Sequence, residues 1–464
     1  MHSVIRLLAG AGCLLLPLTA RDAAGGLRIA DVDRYITAWS ELERFSGNVL
    51  VAKDGKVLLR KSYGMADRER HVPNRAGTAF RIGSTTKAFT ALAVLQLEER
   101  GALKLEDPLS KHLPEAPAAW SRVTLHHLLT HASGVPDISK AAPYQEYDDP
   151  LRAEKTLATL PDPSLQFEPG SRFAYSNSGY MLLGRVIEKV SGRKYEEYIA
   201  RKILRPAGMR NTALDRGGAG VGRRASGYVV REGKLASAVL EDMMGPFSAG
   251  GLRSTTGDLL RFDRALYTEK LVKKTTLARA FTAHAKAVFP PPFNDPNAFY
   301  GYGWLVSQVA GHKTVSHGGW VNGFVCDFVR YPDDGVVLIL LGNIEGAFMP
   351  VITKRASAML WGTPYQLPMP RKAVKLEARA VEPLAGRYEI APGVALRISV
   401  NADGRMFIEQ EGQPVKLEMG AESETLFFVV DLPTTMRFER DAAGNVTAAL
   451  LDMDGQEMRA RRLN

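Results

Sequence analysis

Two β-rich apolar runs flank the polar pair Asp54-Gly55 in NVLVAKDGKVLLRKSY (48–63), which predicts a β-hairpin with a two-residue turn. Far downstream, KTVSHGGWVNGFVCDFVRYPDDGVVLILLGN (313–343) holds three further strand candidates, the last two joined by the turn sequence Pro332-Asp333-Asp334-Gly335. The patterns between these two regions are mostly helical. RIGSTTKAFTALAVLQLEERG (81–101) is apolar on nearly every side, the mark of a helix buried in a domain, with Gly83 or Ser84 at its start and Gly101 beyond its end. A second helix is expected after Tyr175-Ser176-Asn177. It carries Leu182, Leu183, Val186, Ile187 and Val190 at helical spacing, Ser176 or Asn177 as its cap and Gly192 past its end. One antiparallel sheet closed by the two ends of this region, flanked by helices with a separate all-α lobe, accounts for the order: an α/β fold.

After Trp361 the pattern changes. Pro364, Pro368 and Pro370 mark a linker, and the rest is short β-like runs from GRYEI (386–390) to EMRARR (457–462), separated by turns such as Asn401-Ala402-Asp403-Gly404. That spacing predicts a small antiparallel barrel or sandwich. At the other end, Arg6 followed by the apolar run Leu7–Ala20 and then small residues reads as a secretory signal peptide, too short for an ordinary membrane span. The expected organisation is a signal peptide at 1–20, a large α/β unit at 21–365 and the β domain at 371–464, with export to the periplasm or medium and no stable membrane span.

At 464 residues, 45% hydrophobic and 24% charged, the chain has the composition of a globular protein large enough to bury its core without staples. Removal of the signal with Cys13 leaves Cys326 alone, so no intrachain disulfide is expected. The net charge of +10 is spread thinly, without aromatic residues among the basic ones, and does not point to nucleic acid.

Candidate chemistry lies at the start of the first helix. Residues three apart share a helix face, so Lys87 stands against Ser84. A serine hydroxyl needs a base within hydrogen-bond reach. A lysine serves as one only if burial lowers its ordinary value of about 10.4. Ser-x-x-Lys alone is a weak signal. It gains weight from Tyr175 and Asn177 before the second helix, and from His317-Gly318-Gly319 on a strand, where glycines let a substrate backbone come close.

Ser84-Thr85-Thr86-Lys87, Tyr175-Ser176-Asn177 and His317-Gly318-Gly319 stand in the order of the three motifs of class C β-lactamase-like serine hydrolases, a family that includes D-alanyl-D-alanine carboxypeptidases, D-aminopeptidases and esterases. VTLHHLLTHASGVPD (123–137), FEPGSRFAYSNSGYMLLGRVIEKVSG (167–192), GGLRSTTGDLLRF (250–262) and VSHGGWVNGF (315–324) resemble the family as well, so the likeness spans about residues 40–345. It implies that Ser84 is acylated, that Lys87 is the base or its partner, and that Tyr175 carries a proton to the leaving group. Asn177, His317, Gly318, Gly319 and Trp320 would hold the substrate, with the backbone N–H groups of Ser84 and Trp320 as the oxyanion hole. The C-terminal region looks like the lipocalin-like barrel of some members.

The third motif departs from the Lys-Thr-Gly of many β-lactamases. A histidine is mostly neutral at pH 7, which disfavours a substrate carboxylate and favours peptidase or esterase activity. The expected function is an exported serine hydrolase acting through an acyl-enzyme on an ester or peptide amide, with a small-molecule or short-peptide substrate and neither cofactor nor metal. The alternatives are a true β-lactamase and an inactive ligand-binding scaffold. His126, His127 and His131 invite a metal reading, but no glutamate completes His-Glu-x-x-His. No Gly-x-Ser-x-Gly elbow occurs, and Glu168 reads as a turn-supporting carboxylate rather than a base.

Overall fold

The computed structural model describes residues 26–137, 163–216, 223–231, 234–238, 243, 247–289, 295–346, 349–368, 370–391, 393–411, 416–430, 432, 434–453 and 456–463. The expected signal peptide and Cys13 lie outside them.

The hairpin of the N-terminal half forms as its sequence dictates. Strand β1 (Gly47–Lys53) and strand β2 (Lys56–Tyr63) are joined by Asp54-Gly55, both at positive φ (50° and 75°), the turn whose twist matches the strands. Helix α1 (Ile29–Glu41) precedes them. Helix α2 (Thr86–Glu99) and helix α3 (Asn177–Ser191) follow. The sheet then takes β3 (Ala285–Lys286), β4 (Phe299–Tyr300), β5 (Leu305–Val309), β6 (His312–Val321), β7 (Phe324–Tyr331) and β8 (Val336–Gly342), before helix α4 (Met349–Met359).

The spatial order is β3-β4-β5-β6-β7-β8-β1-β2, so the two ends of the unit meet where β1 pairs antiparallel with β8 in the register Gly47↔Gly342 to Lys53↔Val336. The unbroken apolar run of β8 is explained by burial on both faces. Val337, Ile339 and Leu341 join Leu50 and Ala52 in a core shared with α2 and α3. Val336, Leu338 and Leu340 join Val49 and Val51 against α1 and α4. Every residue of α2 from Thr86 to Leu97 is buried, Lys87 among them.

The three short strands β3 to β5 were not anticipated. Only Leu305–Val309 is longer than two residues, and prolines and polar residues interrupt the stretch before it. The eight C-terminal runs do close into an antiparallel barrel, sealed by Arg387↔Leu463 to Glu389↔Arg461, with Tyr388, Ile398, Met406, Ile408, Phe427 and Leu451 inside. Closure removes the exposed edges that an open sheet of this size would carry.

Candidate functional site

The helix carrying Lys87 does not begin at Ser84. A single 3₁₀ turn, Gly83–Thr85, comes first, and α2 continues from Thr86. Both threonines of the motif hold this turn in place. Thr85 donates its hydroxyl to the carbonyl of His317 at 3.1 Å, and Thr86 Oγ1 accepts from the N–H of Leu252 at 3.1 Å. The turn is thereby fixed against β6.

Strand β6 is open where this happens. Its pairing with β5 ends at Leu305↔Ser316, while its pairing with β7 runs on to Val321↔Phe324, so His317 to Val321 present an edge towards the turn. Contact there is close enough to require glycine. A Cβ on Gly319 would stand 1.8 Å from the carbonyl oxygen of Ile82 and 3.0 Å from the N of Ser84. A Cβ on Gly83, at φ 49°, would stand 2.7 Å from the N of Trp320. Two backbone amides, of Ser84 and Trp320, are thus brought to one crevice beside the Ser84 hydroxyl.

Lys87 Nζ lies 3.0 Å from Ser84 Oγ, 2.8 Å from Asn177 Oδ1 and 2.8 Å from the carbonyl oxygen of Ala249. Loss of solvation moves its pKa down to about 7, and the Asp137 carboxylate pulls the other way. Two of its three neighbours can only accept. In the neutral amine both N–H groups therefore go to Asn177 and Ala249, and the lone pair is left facing Ser84, whose hydroxyl donates to it.

Tyr175 also hydrogen-bonds Ser84. Burial among rings lifts the Tyr175 phenol above its ordinary value, the bond to Ser84 works against that, and Asp137 adds to it, so the group is a neutral phenol at pH 7. Its ring lies 4.8 Å from Lys87 Nζ and 4.2 Å, centroid to centroid, from His131. Asn177 is placed by two devices. Ser176 caps α3, accepting from Gly179 N at 3.2 Å, and the Asn177 N–H donates to Asp137 at 3.3 Å.

His317 is buried and neutral. Burial is the main cause, Lys87 adds repulsion, and the pKa falls to about 3 although the Gly318 carbonyl opposes the shift. That carbonyl, 2.6 Å from Nδ1, can only accept, so the ring proton is on Nδ1 and Nε2 accepts from the Tyr300 hydroxyl at 2.8 Å. The third motif therefore offers no cation at pH 7.

The structure brings Ser84, Lys87, Tyr175, Asn177, His317, Gly318, Gly319 and the Trp320 backbone to one place. Sequence reasoning missed Ala249 and Tyr300, which act through a backbone carbonyl and an unremarkable aromatic. It also grouped His131 with the half-buried His126 and His127 under a metal reading. His131 is instead 1% exposed and accepts from the Ser176 N–H at 3.1 Å, holding the second motif from behind. Glu168 pairs with Arg122 on the surface, away from Ser84. Among the described residues, no group of three His, Cys, Asp or Glu is placed to hold a metal ion, and no helix is long and apolar enough to cross a membrane.

A β-lactamase family model matches residues 32–358. The chain belongs to the β-lactamase family. This β-lactamase-family chain is 32% identical over 460 residues to penicillin-binding protein 4* of Bacillus subtilis strain 168, covering 91% of this chain and 96% of that protein. The octameric penicillin-binding protein homologue from Pyrococcus abyssi superposes with a TM-score of 0.66 at 27% identity, over 93% of this chain and 99% of that one. A D-stereospecific amidohydrolase from Streptomyces sp. superposes with a TM-score of 0.60 at 25% identity, over 71% and 98%. With that membership and these neighbours the protein is a serine hydrolase of the β-lactamase fold.

Proposed function

We propose that the protein is exported and hydrolyses an ester or a peptide amide through an acyl-enzyme on Ser84. The observation that carries this reading is the lone pair of Lys87, aimed at the Ser84 hydroxyl because both amine hydrogens are engaged elsewhere. In acylation, Ser84 Oγ forms a bond to the substrate carbonyl carbon while its proton passes to Lys87 Nζ. The carbonyl π electrons move to oxygen, beside the amides of Ser84 and Trp320. As the carbonyl re-forms, the bond to the leaving nitrogen or oxygen breaks and Tyr175 supplies its proton, the Lys87 ammonium beside it returning one to the phenolate. Water then repeats the sequence on the acyl-enzyme. Lys87 rather than Tyr175 is the base in this scheme, because the amine is shifted towards pH 7 and the phenol away from it.

Two considerations favour a substrate without a carboxylate at the third motif. His317 is neutral and its Nε2 is occupied by Tyr300. The likeness to a D-stereospecific amidohydrolase supports a D-amino-acid amide among the candidates. A β-lactamase, whose substrate carries a carboxylate, fits less well. The proposed organisation is a signal peptide at 1–20, the hydrolase at 21–365 and the barrel at 371–464.

The test is mass spectrometry of Ser84 after brief exposure to a p-nitrophenyl ester, a D-alanyl peptide amide without a free carboxylate and a penicillin. An adduct on Ser84 from the ester or peptide is expected, and one from penicillin alone would favour the β-lactamase. No adduct from any of them would leave the inactive scaffold as the better account. A second expectation concerns Gly319→Ala. The new methyl collides with the Ile82 carbonyl and pushes β6 from Ser84, so kcat should fall about 10²- to 10³-fold. Steady-state kinetics on protein with unchanged circular dichroism would check it.

A further inference from the structure

A cavity of ≈ 610 Å³ opens behind the candidate site, between the loop before Tyr175 and the edge strand β3. Phe173 divides the two. It lines the cavity, while its ring lies 5.8 Å from that of His131 and 5.9 Å from that of Tyr300. The remaining wall carries His126, His127, His284, Arg172 and Lys286, and none of the described residues that line it is an aspartate or glutamate.

The hydrogen bonds around the imidazoles decide what they offer. His127 Nδ1 accepts from the Thr124 N–H at 3.3 Å and its ring donates to the Arg122 carbonyl, so it lines the wall without offering a donor. His126 Nδ1 lies 2.9 Å from the Tyr302 hydroxyl, whose oxygen already receives Arg279, so the phenolic proton goes to Nδ1 and His126 also carries its own on Nε2. The guanidinium of Arg172, an exposed residue, lies 4.5 Å from the centre of the Phe167 ring and carries five N–H donors. Lys286 donates to the Pro296 carbonyl with one of its three hydrogens. The cavity thus presents N–H donors from three side chains, His126, Arg172 and Lys286, two of them cationic, beside the apolar surface of Phe173 and Val288.

We propose that this cavity binds a small organic acid, its carboxylate held by Arg172, Lys286 and the Nε2–H of His126, its hydrocarbon part against Phe173 and Val288. The size suits a ligand larger than a bare ion, and the charged side chains of the described lining are all cationic. The proposal is independent of the chemistry at Ser84.

Succinate and its neutral counterpart succinamide are the probes, read by the histidine ring-proton NMR signals of the full chain. Succinate is expected to shift the signals of His126 and His127, and succinamide to leave them in place. In Arg172→Gln/Lys286→Gln, binding should weaken by about tenfold or more, with hydrolysis of a small ester unchanged. Equal shifts from both probes, or none from succinate at about 50 mM, would overturn the proposal. So would signals that respond to Zn²⁺ and not to succinate, which would make the cavity a metal site. The comparison of the two probes on the unaltered chain decides the matter even if the double variant fails to fold.

Discussion

Ser84→Ala should reduce turnover of a small ester by on the order of a millionfold, because it removes the atom that forms the covalent intermediate. The rest of the site should survive the change. Lys87 keeps Asn177 and Ala249, and the turn is held by Thr85 and Thr86, neither of which depends on the Ser84 hydroxyl. Affinity for a non-hydrolysable substrate analogue should therefore stay close to that of the parent, while labelling by a fluorophosphonate disappears. Retention of hydrolysis within about tenfold of the parent would remove Ser84 from the reaction.

Lys87→Met separates function from stability. The variant should lose about 10²- to 10⁴-fold in kcat/KM, the usual contribution of a positioned base. In the parent, kcat/KM should climb with pH through about 7 as the amine loses its proton. The same residue burdens the fold. Below about pH 7 the amine is protonated in both the native and the unfolded chain, and the cost of burying it is complete. Between there and its ordinary value of 10.5 the unfolded chain holds a proton that the native protein does not, so stability rises with pH. Above 10.5 the cost is gone. The full span is on the order of 4–5 kcal/mol. Methionine carries no such proton, so the melting temperature of the variant relative to the parent should be highest at pH 7 and decline towards pH 10. Thermal unfolding at several pH values checks this, and a difference that does not change with pH would contradict a depressed lysine.

What was legible in the sequence was what local chemistry specifies. The Asp54-Gly55 turn, the cap at Ser176 and the buried face of α2 each follow from neighbours within a few residues. The three motifs were readable for the same reason, since each is a short stretch whose residue types suit one task. The long-range partners were not. Ala249 contributes only a carbonyl, which every residue possesses, and nothing in its side chain marks it as the acceptor for Lys87. Tyr300 sits on a two-residue strand with no periodic signal, yet its hydroxyl occupies Nε2 of His317. His131 lies one helical turn from His127, close enough in sequence to suggest a shared role. A backbone in the left-handed region (φ 56°) swings it instead into the interior, away from His126 and His127.

The placement of β1 between β2 and β8 has a consequence for how the protein is made. Val49 and Val51 on one face, and Leu50 and Ala52 on the other, find their strand neighbour only when Gly342 is available. At ordinary rates of synthesis that wait lasts roughly 15–60 s. During it the nascent hairpin exposes an unpaired apolar edge, a ready target for chaperones, and completion of the sheet is an event that follows translation of nearly the whole hydrolase region.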